Sequence, residues 1–268
     1  MPDLPATSAI DLERDGDWLT VWFNQPESRN PLTGERVADL LALCTVLSAR
    51  PDIRGVTFRG RGGIFCAGGD LKSFKDVFQG NADTAGVIEM SKDGGRMMGA
   101  VAALPQVTVM AVEGAAMAGG FGLACIGDMV IVEKGTRFAL TETMIGLSPA
   151  QIAPFVIERL GPREGRRLML LAQALDAEEA LRIGLADRLV DGAGGIDAAI
   201  AEVCAQVLRC APGAVAETKR LIRVLPPMSR AEQVEAAAAS FAARMLSEEG
   251  REGISSFFEK RKPHWAKG

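Results

Sequence analysis

The chain has 268 residues, 48% of them hydrophobic and 24% charged, which suits one large domain with a sizeable core, or one domain plus a small helical appendage. Its 30 Lys and Arg against 34 Asp and Glu leave a net charge of -4, which argues against a dedicated nucleic-acid or membrane-surface binder. Five scattered cysteines with no C-x-x-C pair, and one histidine, His264, four residues from the end, argue against a disulfide framework, a zinc site and a His-dependent catalytic triad.

The first stretch, "MPDLPATSAIDLERDGD", is acidic and lacks the basic and apolar regions of a signal peptide, so the cytoplasm is the expected compartment. Strand-like runs follow at Leu19 to Asn24, Gly55 to Gly60, Val107 to Val112 and Met129 to Glu133. They alternate with helical segments, of which Thr33 to Ser48 is the clearest, with Val37, Leu40, Leu41, Cys44 and Leu47 on one 3.6-residue face. Strands separated by helices predict an α/β core with parallel pairing. The longest apolar run, near Val101, is interrupted by Pro105 and Gln106 and is too short to span a bilayer. From about Pro149 the pattern becomes helix after helix, with no internal repeat and no low-complexity linker. The expected organisation is an α/β core over residues 1–200 and a helical region over 201–268.

Two glycine-rich turns carry the functional signal. "VEGAAMAGGFGLACIGD", Val112 to Asp128, puts five glycines and four alanines directly after an apolar strand. It fails the dinucleotide fingerprint, because Cys125 stands at the third glycine, and the P-loop, because Gly120 stands at the lysine. It contains no serine for a nucleophile elbow. What remains is a turn offering backbone N–H groups at a helix start, or simply close packing of a helix on a sheet. The second turn, "RGRGGIFCAGGDLKSF", Arg59 to Phe74, follows the strand at Gly55 and precedes a helix expected to begin near Asp70. Two such turns aiming N–H groups at one point are what an oxyanion hole needs, since paired donors hold an enolate oxygen more strongly than a neutral carbonyl. The flanking carboxylates Glu113 and Asp128 are read as turn and helix-end hydrogen-bonding groups.

The segments "FNQPESRNPL", "GGIFCAGGDLKSF", "VEGAAMAGGFGLACIGD", "FALTETMIGLSP", "ALDAEEALRIGLADRLV" and "FFEKRKP" resemble, in this order, the landmarks of the crotonase, or enoyl-CoA hydratase/isomerase, superfamily. The resemblance covers nearly the whole chain. It implies a spiral of repeated ββα-type units with a helical C-terminal trimerisation region, and an acyl-CoA substrate. No metal and no cofactor beyond the substrate's own coenzyme A are implied, with no nucleic-acid or membrane partner and a homotrimer or hexamer as the assembly. The catalytic positions it implies are the amides of Gly69 and Gly119 and the carboxyl of Glu142. The substrate and coenzyme A contacts it implies are Arg29, Ala67, Asp70, Leu71, Met117 and Lys260, with Phe257 and Phe258 near the adenine.

Three departures matter. Ala118 replaces the first glycine of the family's triplet, which spares a hole that uses only backbone. Thr141 stands where the later glutamate is usually preceded by proline. Most important, the first of the two glutamates of typical hydratases falls on Gly122, so one carboxyl, Glu142, remains, with Met144, Ile145 and Leu147 expected to raise its pKa by desolvation. Hydration and a double-bond shift both stay open, as do decarboxylation, thioester hydrolysis and a non-catalytic coenzyme A or RNA-binding role. "GLSPAQIAPFV" in place of the usual glycine-rich segment resembles members that hydrate branched, glutaconyl-type thioesters.

Overall fold

The computed structural model describes residues 3–70, 79–80 and 83–266. Leu71 and the helix expected after Asp70 lie outside them. A six-stranded sheet has the order β1-β2-β3-β4-β6-β9. Its strands are β1 (Ile10–Asp15), β2 (Trp18–Phe23), β3 (Gly55–Gly60), β4 (Val107–Val112), β6 (Met129–Glu133) and β9 (Arg188–Val190). A smaller sheet, β5-β7-β8, is built from Ala115–Met117, Arg137–Ala139 and Leu175–Asp176. Pairing from β2 through β9 in the large sheet is parallel. The exception is the edge hairpin β1–β2, whose antiparallel register runs from Ile10↔Phe23 to Asp15↔Trp18 and turns at Gly16, φ +56°.

Helices cover both faces, which is why the central strands are mostly apolar on both, with Thr57, Arg59 and Thr108 as buried polar exceptions. In β4, Met110 and Val112 face the larger core, beneath α1 (Gly34–Leu47), α2 (Thr84–Ala102), α3 (Gly119–Cys125) and α4 (Ala153–Leu171). Val109 and Ala111 face the opposite side, where Ile196, Ala199, Val203 and Val207 of α6 (Gly192–Val207) pack; the short α5 (Ala177–Arg182) precedes β9. Helix α1 begins where Thr33 accepts a hydrogen bond from the Arg36 amide, the usual Thr N-cap. Its buried face is Arg36, Leu40, Leu43, Cys44 and Leu47. The guanidinium of Arg36 is tolerated there because the carbonyls of Ala9 and Pro31 and the side chain of Gln25 accept its protons.

The last helices, α7 (Pro212–Val224), α8 (Arg230–Met245) and α9 (Glu248–Phe258), bury few residues within the chain. Lys219 anchors α7 by donating to the carbonyl of Gln106 at 2.6 Å and to Asp128. Among the described residues no single helix is long and apolar enough to cross a membrane.

Candidate active site

Residues 64–70 are threaded between two other segments by main-chain bonds. On one side Phe65 N donates to Glu113 O at 2.9 Å, Cys66 N to Ala115 O at 3.1 Å and Met117 N to Cys66 O at 2.9 Å. On the other, Ala67 N donates to Arg29 O at 2.9 Å and Leu32 N to Gly68 O at 2.7 Å, with a bridge between Leu32 and Gly69. Both glycine turns are thus locked to the same few residues. A Cβ on Gly119 would stand 3.9 Å from Gly69 N and one on Gly68 would stand 3.4 Å from Gly119 N. Gly69 is exposed and Gly119 half-buried. Gly119 opens α3, where an amide has no carbonyl of its own helix to reach.

Gly68 makes this approach possible. Its φ is +94°, and a Cβ there would lie 2.8 Å from both Met117 O and the Ala118 Cβ. Ala118 itself sits at φ 47°, ψ -115°, a conformation that costs an alanine about 1–3 kcal/mol. It is held by Ala118 N donating to Ala139 O at 2.8 Å and by Gly122 N donating to Ala118 O at 3.1 Å.

The Ala118–Ala139 bond and the Met117↔Ala139 pairing of β5 with β7 bring the next segment to the same place. Glu142 starts a single 3-10 turn, Glu142–Ile145, closed by Gly146 at φ +78° and by Leu147 N donating to Glu142 O at 3.0 Å. Its Oε2 is shielded from solvent and has no hydrogen-bond partner. Desolvation pushes this carboxyl above the ordinary glutamate range, opposed by its own backbone N–H. Met144, Ile145 and Leu147 are 72%, 54% and 43% exposed, so they shield it less than their apolar character implies.

The neighbouring carboxylates are engaged elsewhere. Glu113 is not a turn-capping group: both its oxygens take bonds from Arg59, at 2.6 and 3.0 Å, and Arg59 also reaches Asp197 at 2.5 Å. Asp128 accepts from Thr108 N and Oγ1 at 2.7 and 2.9 Å and pairs with Lys219.

Of the other expected positions, Arg29, Ala67, Asp70 and Met117 lie on the laced segments. Arg29 is exposed with φ 65°, while Ala67, Asp70 and Met117 are half-buried. Lys260 is exposed just beyond α9, beside Phe257 and Phe258 at 79% and 78% exposure, and no described contact ties it to the turns. Among the described residues, no three His, Cys, Asp or Glu side chains are grouped to hold a metal ion. Cys44 and Cys66 are buried thiols pushed up by desolvation to about 12 and about 11, which makes them poor nucleophiles.

Two contributors escape inspection of the sequence. Asn30, fully buried at φ 54°, accepts from Gln25 N at 2.8 Å and donates to the carbonyls of Arg61 and Ile64 at 3.0 and 2.6 Å, pinning the 29–32 segment to the turn below. Its tolerance of left-handed backbone, immediately before Pro31, was the available signal. The other is Ile152, which lies over Gly122.

The fold and site define an α/β protein in which two glycine-rich turns that follow parallel strands are held against each other, with a half-buried glutamate on the segment hydrogen-bonded beside the second. The family model for enoyl-CoA hydratase/isomerase matches residues 15–268, and the chain belongs to that family. Among solved structures it is similar to Pseudomonas aeruginosa AtuE, with a TM-score of 0.93 and 36% identity over 97% of this chain and 100% of that one. An enoyl-CoA hydratase/isomerase from Marinobacter aquaeolei gives 0.91 and 36% over 97% and 99%. The carnitinyl-CoA dehydratase of Proteus mirabilis is 32% identical over 97% of this chain and 98% of that protein.

Proposed function

We propose that the chain adds water to, or removes it from, acyl-coenzyme A thioesters, with the thioester oxygen held by the amides of Gly69 and Gly119 and Glu142 moving the protons. The observation that carries this reading is the shielded, unpartnered Oε2 of Glu142, on a segment hydrogen-bonded to the residue before Gly119. A buried oxygen without a partner is costly and calls for a ligand group or a proton.

In the hydration direction the Glu142 carboxylate takes a proton from water as the water oxygen bonds to C3 of a 2-enoyl thioester. The π electrons move onto the thioester oxygen, where two N–H donors stabilise the enolate; one such donor is commonly worth about 2.7–4 kcal/mol in the barrier. Glu142 then returns its proton to C2. The similarity to a carnitinyl-CoA dehydratase supports water addition and removal. A second reading, a double-bond shift in which Glu142 carries a proton from C2 to C4 through a dienolate held by the same amides, is favoured by the absence of a carboxyl at Gly122.

In this proposal Arg29 and Lys260 meet coenzyme A phosphates, and Ala67, Asp70 and Met117 line the thioester site; Leu71, of the same group, lies outside the described residues. The reaction uses no cofactor beyond the substrate's coenzyme A. The enzyme works in the cytoplasm as a homotrimer or hexamer joined through its C-terminal helices, whose exposed apolar side chains support such an assembly. Purified protein given a 2-enoyl-CoA and a 3-enoyl-CoA, beside Glu142→Gln, tests the reading. Conversion of the former to a 3-hydroxyacyl-CoA, reduced in E142Q by about 10²-fold or more, is expected. Activity that survives E142Q removes Glu142 from the mechanism, and release of free coenzyme A or CO₂ instead places the enzyme with the hydrolases or decarboxylases.

A further inference from the structure

The two glycine turns leave the large sheet from neighbouring strand ends, and one buried ion pair joins those ends. Arg59 is the penultimate residue of β3 and Glu113 follows β4 directly. In the parallel register of the two strands Arg59 stands opposite Ala111, so Glu113 is the next residue on the same face. Arg59 Nε donates to Glu113 Oε2 at 2.6 Å and its Nη2 to Oε1 at 3.0 Å. The remaining nitrogen, Nη1, reaches Asp197 of α6 at 2.5 Å, and the guanidinium lies 5.0 Å from the ring centre of Trp22 on β2. Both members of the pair are over nine-tenths buried.

The main chain of Glu113 links this pair to both turns. Its carbonyl accepts from Phe65 N, in the first turn, at 2.9 Å and from Ala115 N, in the second, at 2.7 Å. Gly114 between them has φ +64°, and a Cβ there would overlap Gly63 O. A rotation of Glu113 therefore swings a carbonyl that carries Phe65 with it, and Phe65 lies on the segment that leads to Gly68 and Gly69. A forked carboxylate–guanidinium pair resists such rotation, because its two parallel bonds fix direction as well as distance. An apolar contact of equal volume does not, since hydrophobic attraction has no direction.

We propose that Arg59 and Glu113 are positioning residues that set the separation of the Gly69 and Gly119 amides, acting through the bases of the two turns and not on the substrate. The inference rests on the reading of those amides as donors to the thioester oxygen. A buried pair of this kind adds little stability over well-packed hydrocarbon of the same volume, so its contribution lies in geometry. The donors hold an enolate more tightly than a neutral carbonyl, and moving them apart lowers kcat more than it raises KM.

The test compares wild type, Arg59→Met/Glu113→Leu and Glu113→Gln. Tm is measured, with kcat and KM on a 2-enoyl-CoA. Isotope-edited difference infrared spectroscopy gives the carbonyl stretch of bound butanoyl-CoA labelled with carbon-13 at the thioester carbon. That stretch falls when the oxygen accepts hydrogen bonds, so it reads the amides without turnover. R59M/E113L is expected to melt within about 5 °C of wild type. Its kcat should drop about tenfold or more with KM within about threefold, and its stretch should be lowered less than in wild type. E113Q keeps the shape and loses one of the two parallel bonds, and should fall between the two. A folded R59M/E113L with wild-type kcat and stretch overturns the proposal, as does a loss confined to KM. Should that variant not fold, a folded E113Q with wild-type kcat and stretch overturns it. Refusal of both to fold shows that the pair serves stability, which also overturns it. A wild-type stretch equal to that of free butanoyl-CoA sinks the amide reading and this inference together, whereas a lowered stretch that persists unchanged in the folded variants sinks this inference alone.

Discussion

The amide nitrogen of Gly69 lies 3.9 Å from where a Cβ on Gly119 would stand, so two turns far apart in sequence present bare backbone to one small volume. Gly68 is the hinge of that approach, at φ +94° with its missing Cβ aimed 2.8 Å from a carbonyl oxygen. Gly68→Ala must push the 64–70 segment away from β5, moving the Gly69 amide with it. A fall in kcat/KM of about 10²-fold or more is expected, since misplacing a donor by an ångström costs on that scale. Gly63→Ala is the control: φ is +69° there too, but nothing lies within 4 Å of the added Cβ, so strain is introduced without displacing the turns, and kcat/KM should stay within about threefold of wild type.

Burial holds the Glu142 carboxyl above its ordinary range, and this has two pH consequences of defined sign. Acting first as a base, Glu142 must be ionised, so kcat/KM should fall on the acid side with an apparent pKa above the ordinary glutamate value of about 4.3. The folded state also binds this proton more tightly than the unfolded state does, so stability is lost as pH rises from the unfolded value through the folded one. E142Q should therefore raise Tm at neutral pH, with the gain shrinking as the pH falls from the folded carboxyl's pKa to the unfolded one's and absent below that. Thermal melts from pH 3 to 8 check this, and a gain that grows toward acid pH contradicts it.

How much of this was legible in the sequence follows from where each residue's partners lie. The four central strands were legible, to within a residue at each end, because burial on both faces keeps them rich in apolar and β-branched residues. β1 was not, since "IDLERD" pairs on one side only and exposes most of its charges; β5, β7, β8 and β9 have three residues or fewer, too short for any periodicity. Gly69 and Gly119 stood out because glycine clusters are local. The partner of Glu113 did not, because Arg59 comes from the adjacent strand β3 through a parallel crossover. The absence of a carboxyl at 122 was visible, whereas the isoleucine that fills its place comes from a segment thirty positions on and is revealed only by packing.

The Arg59–Glu113 pair makes a separate prediction about stability. Both side chains are over nine-tenths buried, bonded at 2.6 Å, beneath the first glycine turn, with Arg59 also stacked on Trp22 at 5.0 Å. Glu113→Ala leaves the buried guanidinium with the exposed Asp197 in place of its buried bidentate partner and should cost about 3 kcal/mol in denaturant unfolding. Asp197, the outer partner, is 65% exposed, and Asp197→Ala should cost under about 1 kcal/mol. Equal costs for the two variants would mean that the pair is solvated in solution.

The C-terminal helices carry an apolar surface that the single chain does not cover. Phe241 and Leu246, at the end of α8, are 70% and 72% exposed, and Met245 between them is 51% exposed. Helix α8 buries one residue, Ser240, so packing within the chain gives it little support, and a helix of this length is marginal unless tertiary or quaternary contacts hold it. If this face joins copies of the chain, Phe241→Asp with Leu246→Asp introduces charges that must be desolvated on association. Sedimentation velocity should then show the assembled species replaced by monomer, with a Tm that no longer rises with protein concentration. An unchanged sedimentation coefficient in a folded double variant would exclude this face from the assembly and direct attention to the exposed Leu170 and Leu171 at the end of α4.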